Sequence, residues 1–242
     1  MKISSIAIQG LREYMEDTVL IKECGNQRLL CVFDGHGGSE VANMCKDLFA
    51  SIFSHNTLIR NIRAAFKNTY KTLDLQTFKT PTCGAVAASV LIDKDTIWVA
   101  NCGDTEVMGI TLDFRSCQML SKRHKVIDEV NRLTGICDIT KSHPQDTFRI
   151  NHTLNVARAI GDHDQKAVIC TPDVSHYKIN KYKYIILASD GLWDVLNAND
   201  VKNIVEEYSK KGYDLKSICD ILVEESLLKR SSDNISVVIC EL

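Results

Sequence analysis

Across its 242 residues the chain has no surplus of basic charge, no cysteine pair at CxxC spacing and no apolar run long enough to span a bilayer. Lys and Arg number 29 against 31 Asp and Glu, a formal net charge of −2. That balance argues against a dedicated nucleic-acid or anionic-membrane surface, which would carry a basic excess. The ten cysteines are scattered singly, and no signal-like apolar stretch follows a basic N-terminus. A reduced thiol population is therefore expected, in the cytoplasm, the nucleus or both, rather than a disulfide frame or a zinc site. No low-complexity linker or repeat of fixed period divides the chain, so residues 1–242 read as a single soluble domain, expected to be a monomer. A hydrophobic content of 45% suffices for a core of useful size.

Against that background one stretch stands out. Leu29–Leu30–Cys31–Val32–Phe33 is an apolar run that ends in Asp34–Gly35–His36–Gly37–Gly38. It reads as a buried strand delivering a carboxylate into a glycine-built turn. An ionised Asp at the edge of an apolar strand is costly to desolvate unless something positive meets it. No Lys or Arg lies between Leu29 and Asn43, so a metal ion is the simplest partner. The alternative is an ordinary strand-to-helix turn with a solvated Asp and a surface His.

Strand-like runs at Ile3–Ile8 and Thr18–Ile21 precede this stretch, and Arg12, Glu16 and Asp17 lie between them. After it, Val41, Ala42, Cys45, Leu48, Phe49, Ile52 and Phe53 fall on one helical face, with Ser39 as the expected N-cap. A second helix is expected from Leu58 to Leu73 after a cap at Thr57. Four runs, Ala85–Ile92, Thr96–Ala100, Glu106–Leu112 and Ser116–Leu120, read as an antiparallel meander. Lys122–Arg123–His124–Lys125 is a candidate local anion site, and a helix is expected over Val126–Leu133. Another apolar run, Tyr184–Ser189, also ends in Asp-Gly at Asp190–Gly191. Helices near Asn199–Ser209 and Asp214–Leu228 then lead to a last strand, Ile235–Cys240, behind Asp233–Asn234.

Glu16, Asp17, Asp34, Asp190 and Asp233 each border an apolar strand, whereas most of the other acids sit in polar faces or loops. Any one of them alone reads as a solvated strand end. Five together point to all-oxygen ligation of a hard divalent ion, Mg²⁺ or Mn²⁺. So many carboxylates exceed what one Mg²⁺ takes from protein, which suggests two ions sharing an Asp and activating water for phosphate-ester hydrolysis.

Six segments, in order, carry a resemblance. Arg12–Glu13–Tyr14–Met15–Glu16–Asp17, Phe33–Asp34–Gly35–His36–Gly37–Gly38, Ala100–Asn101–Cys102–Gly103–Asp104, Ala157–Arg158–Ala159–Ile160–Gly161–Asp162, Ala188–Ser189–Asp190–Gly191–Leu192–Trp193–Asp194 and Ser232–Asp233–Asn234–Ile235–Ser236–Val237–Val238 are similar to the motif series of the metal-dependent type 2C protein Ser/Thr phosphatases. The resemblance implies an α+β, four-layer α-β-β-α sandwich, with two central antiparallel sheets flanked by helices and a two-metal site at one end. It implies two tightly bound Mg²⁺ or Mn²⁺ ions and a weaker third. Asp34 would bridge the two, with Glu16 and the Gly35 carbonyl on one ion and Asp190 and Asp233 on the other. Asp17 would orient water, Arg12 would grip the substrate phosphate and His36 would protonate the leaving alkoxide. Asp104 and Asp194, with Asp190, would hold the third ion. Arg158 and Asp162 would support the site, and Trp193 would anchor the core.

The chain departs from the family pattern in two places. Cys83–Gly84–Ala85–Val86–Ala87 stands where the family commonly reads Ser-Gly-Ser-Thr-Ala, so Val86 replaces a hydroxyl expected near the third ion. The stretch after Lys125 lacks the usual Pro-rich continuation and Gly-Gly and is compact. The chain resembles a bare catalytic domain. The expected activity is metal-dependent hydrolysis of phosphoserine and phosphothreonine in proteins by a hydroxide held between the ions, with phosphoproteins as partners and neither nucleic acid nor membrane. The alternative is a pseudophosphatase scaffold that binds without chemistry, and a phosphatase of other phosphate esters is a third reading.

Overall fold

A computed structural model describes residues 1–58, 61–144 and 146–242. Three strands come first, β1 (Lys2–Ile8), β2 (Thr18–Cys24) and β3 (Gln27–His36), then two helices, α1 (Glu40–Thr57) and α2 (Ile62–Asp74). Four more strands follow: β4 (Gly84–Asp93), β5 (Thr96–Cys102), β6 (Glu106–Thr111) and β7 (Cys117–Met119). An excursion of short elements holds α3 (Val130–Leu133), β8 (Ile139–Thr140), β9 (Arg149–Ile150) and β10 (Ile160–Gly161). The order continues with β11 (Asp173–Lys178), β12 (Tyr182–Ala188), α4 (Asp190–Trp193), α5 (Ala198–Lys210), α6 (Leu215–Leu228) and β13 (Ile235–Glu241).

The long strands form two antiparallel sheets, ordered β1-β13-β12-β6-β7 and β11-β5-β4-β3-β2, with β10 added beside the start of β4. Alternation along β3 explains the layering. Leu30 and Val32 point into the space between the sheets, where they join Val90, Val99, Ile185, Leu187 and Val238. Leu29, Cys31 and Phe33 point the other way, onto Val41, Cys45, Phe49 and Phe53 of α1 and Phe66 and Tyr70 of α2. The second sheet does the same: Ile186, Val237 and Ile239 meet Val201 and Val205 of α5 and Ile218 and Leu222 of α6. Both faces of both sheets are thus covered, which is why these strands are continuous apolar runs rather than alternating ones. The four-layer sandwich expected above is the fold.

Packing under the first helical layer is aromatic. The Phe49 ring centroid lies 5.7 Å from those of Phe33 and Tyr70, and the buried Tyr70 hydroxyl meets Ser89 Oγ at 2.9 Å. Truncating Phe49 to Ala would cost roughly 3–5 kcal/mol, the usual loss for a core aromatic.

Four local expectations are corrected. The four-strand meander is split: β4 pairs with β5 and β6 pairs with β7, but β5 and β6 lie in different sheets. Strands buried on both faces carry the same apolar run in either sheet, so their partners cannot be read from hydrophobicity. The second helix is capped by Asn61, whose side chain accepts from the Ala64 amide, rather than by Thr57. Thr57 ends α1, and the intervening residues 59–60 lie outside those described. Ser39 does precede α1, but its hydroxyl makes no capping bond. Finally, β3 does not end at Asp34. Gly35 and His36 stay in the ladder, paired with Ala85 and Gly84 of β4, so the carboxylate projects from a strand and not from a turn.

Candidate active site

The C-terminal ends of β3, β5 and β12 meet the N-terminal ends of β2, β4 and β13 at one end of the sandwich. Each brings an acid or its support. Asp34 projects from β3, Asp104 follows β5, Asp190 opens α4 directly after β12, and Asp233 precedes β13. Glu16 and Asp17 lead into β2. Gly35 accepts no larger residue without a shift, since a Cβ there would come within 2.6 Å of the Glu16 carbonyl oxygen. That closeness lets the Gly35 amide donate to the Glu16 carbonyl at 3.2 Å and sets Glu16 beside Asp34.

The cavity at this end has a volume of about 190 Å³ and is lined by Arg12, Glu16, Asp34, Gly35, His36, Asp104, Asp190 and Asp233. Sequence reasoning had singled out all eight. Asp17 lies buried behind them, and Asp194 stands at the exposed margin. Asn234 ties the segments together: its Oδ1 accepts from the Glu16 amide at 2.8 Å, and its Nδ2 donates to the Gln9 and Tyr14 carbonyls.

The electrostatics are those of crowded carboxylates. Burial, followed by the charges of Asp17, Asp190, Asp104 and Asp233, holds Asp34 well above the usual carboxylate range. Asp190 is raised by burial and by Asp104, Asp194 and Asp233. Burial pushes Asp17 up to about 6, and the charge of Asp233 acts in the same direction. Asp104 is likewise raised by burial, although Lys125 counteracts it. Such a cluster is unfavourable without added positive charge.

The donor set fits hard divalent cations. It is all oxygen, and Oδ2 of Asp17 and Oδ2 of Asp104 are buried with no hydrogen-bond partner. As the side chains stand, no group of three or more His, Cys, Asp or Glu among the described residues is arranged to hold an ion. Two of the acids are turned to protein donors instead. Asp233 Oδ2 accepts from Arg12 Nη2 at 2.6 Å, and Glu16 Oε1 accepts from the Gly38 amide at 2.6 Å.

His36 is half-buried, and its Nε2 lies 2.9 and 2.8 Å from the two carboxylate oxygens of Asp162. Burial by itself would lower its pKa, but Asp162, Asp104 and Glu16 more than offset this, and the net shift is upward. Asp162 thus supports the site directly. Arg158 instead braces the base of the excursion, bonding Glu129 at 2.5 Å and Asp173 at 3.2 Å. The Trp193 indole donates to the Ala188 carbonyl and packs on the core beneath α5 and α6.

The Lys122–Lys125 cluster is not one anion site. Lys125 turns inward, 2.8 Å from Asp194 and 3.7 Å from Asp104. His124 is buried between the Gly103 amide and Asp173, Arg123 pairs with Asp128, and Lys122 faces outward. Val86 packs against Val156 and Ala159 at the cavity wall. Sequence reasoning missed Arg149, Thr153, Leu154, Asn155 and Val156, which close the cavity from the excursion between α3 and β10. Their only signal was position in the stretch after Lys125, where no motif lies.

The fold is thus a four-layer sandwich with acids gathered at one end. Residues 1–235 match the family model described as protein phosphatase 2C, and the chain belongs to that family. It is 32% identical over 248 residues to "Probable protein phosphatase 2C 11" of Arabidopsis thaliana, covering 96% of this chain and 64% of that protein. It is 30% identical over 220 residues to "Probable protein phosphatase 2C 45" of Oryza sativa subsp. japonica, covering 87% of this chain and 75% of that one. Over several such relatives the matched region spans from about half to three-quarters of their length. Among solved structures, a C. elegans sex determining protein superposes with a TM-score of 0.88 at 23% identity, covering 98% of this chain and 64% of that chain. A serine-threonine phosphatase 2C from Toxoplasma gondii gives 0.84 at 21% identity, with coverage of 98% and 93%. At those identities the structures speak for the fold.

Proposed function

We propose that the chain hydrolyses phosphoserine and phosphothreonine in proteins with the help of two Mg²⁺ or Mn²⁺ ions. The observation that carries this reading is the cluster of Asp34, Asp190, Asp104 and Asp17, whose mutual repulsion and orphaned oxygens call for divalent charge. Asp34 would be the shared ligand, Glu16 and the Gly35 carbonyl would hold one ion, and Asp190 and Asp233 would hold the other. When bound, the ions supply Lewis-acid activation of the attacking water and neutralise charge on the phosphate.

The protein's own groups do the rest. Arg12 is more than half exposed at the cavity mouth. Its guanidinium fork suits two phosphate oxygens once it leaves Asp233. Asp17, buried behind the ligands, orients water by accepting a hydrogen bond through its free Oδ2. His36 donates a proton to the leaving serine or threonine oxygen, and Asp162 holds the ring in place. Asp104, Asp190 and Asp194 are the candidate ligands of a weaker third ion, in competition with the Lys125 ammonium.

The excursion residues bound the phosphate space but leave the cavity mouth open to a protein side chain, which supports phosphoproteins as substrates. The nine cysteines with described side chains are all free thiols, which supports a reducing intracellular compartment. No helix among the described residues is long and apolar enough to cross a membrane. A pseudophosphatase scaffold that binds without chemistry is the second reading, and the bonds that turn Asp233 to Arg12 and Glu16 to the Gly38 amide are what favour it. Release of inorganic phosphate from phosphoserine and phosphothreonine peptides, with Mn²⁺ or Mg²⁺ and with chelator, separates the two. Metal-dependent turnover is expected, and its absence at saturating metal would leave the scaffold reading.

A further inference from the structure

We propose that a basic groove along the outer edge of β11, outside the catalytic cavity, docks an acidic extended segment of the protein substrate. The groove has a volume of about 350 Å³ and lies between α2, the Leu120–Lys122 segment and β11. Its cations are Arg63, Lys67 and Lys122, all exposed, and none makes an ion pair among the described residues. Arg63 is preset, because its guanidinium donates to the Val174 carbonyl on the edge strand. The one carboxylate in the lining, Asp173, is already taken by His124 at 3.1 Å and Arg158 at 3.2 Å, so it does not cancel them. A positive groove on a chain of net charge −2 is a local feature and needs an anionic partner.

Geometry selects the form of that partner. Arg63 and Lys67 stand one turn apart on α2, which puts their Cβ atoms about 5–6 Å from each other. Alternate residues of an extended peptide present side chains on one face at about 6.6–6.8 Å spacing, so Asp or Glu at every second position would meet both. β11 lies at the end of its sheet, but its Val174 carbonyl already accepts from Arg63, so the segment is held through its acidic side chains rather than by strand addition. A nucleic acid fits less well, since three cations form a short patch on a net-negative surface.

The proposal rests on the phosphatase reading for its biological use, but its binding arm does not. In the first arm, a fluorescent peptide of alternating Glu, with no phosphate, is titrated against the full chain. Wild type is expected to bind it, and Lys67→Glu/Lys122→Glu to bind about tenfold more weakly, as two exposed ion pairs turned repulsive imply. Equal binding by both proteins, or tighter binding of an oligonucleotide than of the peptide, overturns the groove. In the second arm, KM for a phosphopeptide extended by that acidic segment is expected to rise about tenfold in the double variant, with kcat and aryl-phosphate turnover unchanged. An unchanged KM also overturns it. If wild type hydrolyses neither substrate, the phosphatase reading fails while the binding arm still decides the groove.

Discussion

His36 Nε2 faces both carboxylate oxygens of Asp162, at 2.9 and 2.8 Å, across 126 residues of chain. Gly84 makes the pair possible: a Cβ there would fall 2.4 Å from the imidazole nitrogen and 2.3 Å from Asp162 Oδ2. Asp162 is almost fully buried and holds a φ of +54°, a left-handed backbone that an Asp tolerates better than most residues. The ring is thus fixed by a strained, buried acid rather than left free at the cavity margin.

If this histidine donates the leaving-group proton, His36→Gln should cost roughly 10²–10⁴-fold in kcat on a phosphoserine peptide, the usual worth of a general acid. An aryl phosphate, whose leaving group needs little protonation, should lose far less. Steady-state kinetics on the two substrates check this, and equal losses would mean that His36 organises the acids instead. Asp162→Asn should reproduce the pattern in weaker form and move the high-pH limb of the rate profile downward, because it removes the group that raises the His36 pKa.

Neutralising a central acid should separate stability from activity. Asp34→Asn removes a carboxylate that burial and four neighbouring acids disfavour, so the metal-free variant should be more stable than wild type, by on the order of 1–3 kcal/mol. The same change should lower metal-dependent turnover by about 10³-fold or more, as loss of several kcal/mol of charge stabilisation implies. Urea unfolding in chelator and phosphopeptide turnover in Mn²⁺ are the two readouts. A destabilised variant with near wild-type turnover would sink the two-metal reading.

How much of this was legible follows from where each residue lies. Asp34, Asp190 and Asp233 could be found because an acid bordering an apolar run is locally anomalous, and a strand buried on both faces makes that anomaly visible. The layering followed from six ordered motifs, but the assignment of β5 and β6 to different sheets did not, since nothing local distinguishes the partners of a strand buried on both faces. Lys125 read as part of a candidate local anion site, and only the fold brings Asp194, 69 residues away, to 2.8 Å. Arg149 and Thr153–Val156 line the cavity from short, irregular elements. Their order comes from a small local core and from Arg132 bonds to the Ala157 and Ala167 carbonyls, neither of which has a periodic signature.

The pH dependence of the metal-free protein should run opposite to ordinary acid denaturation over part of the range. Asp17 has a folded pKa near 6 against an unfolded value near 3.8. The folded state therefore binds the extra proton between those values, and stability falls as pH rises through them. The full penalty, present above about pH 6, is roughly 3 kcal/mol for that group at 1.36 kcal/mol per pH unit. His36, also raised, adds stability below its unfolded pKa that is lost as pH climbs through the folded one. Glu129 and Asp173, both lowered, act oppositely, but only as pH falls below their unfolded values. His124, lowered by burial, opposes the trend within the window and is outweighed by the raised Asp17, Asp34, Asp104, Asp190 and Glu106. Calorimetry in chelator should give a higher Tm at pH 5 than at pH 7.5, and saturating Mn²⁺ at pH 7.5 should restore the difference. A metal-free Tm that rises from pH 5 to 7.5 would contradict the assignment.

The proposed third-ion position gives the last prediction, because two features of this chain would weaken it independently. Val86 lies across from Asp34 in the β3–β4 ladder and fills the space over Gly103, just before Asp104. It packs where a threonine would, but it lacks the donor and acceptor of a hydroxyl. Lys125 places its ammonium 2.8 Å from Asp194 and 3.7 Å from Asp104, so a divalent ion there must displace or repel a resident charge. Removing that charge with Lys125→Met should strengthen third-ion binding more than Val86→Thr, which restores only a hydrogen-bonding group. Both changes leave the carboxylates of Glu16, Asp34, Asp190 and Asp233 in place, so the two tighter ions should still bind. Calorimetric titration with Mn²⁺ counts sites without relying on turnover. An additional weak site that tightens in the order wild type, Val86→Thr, Lys125→Met is the expected result, and superimposable isotherms for all three proteins would reject it.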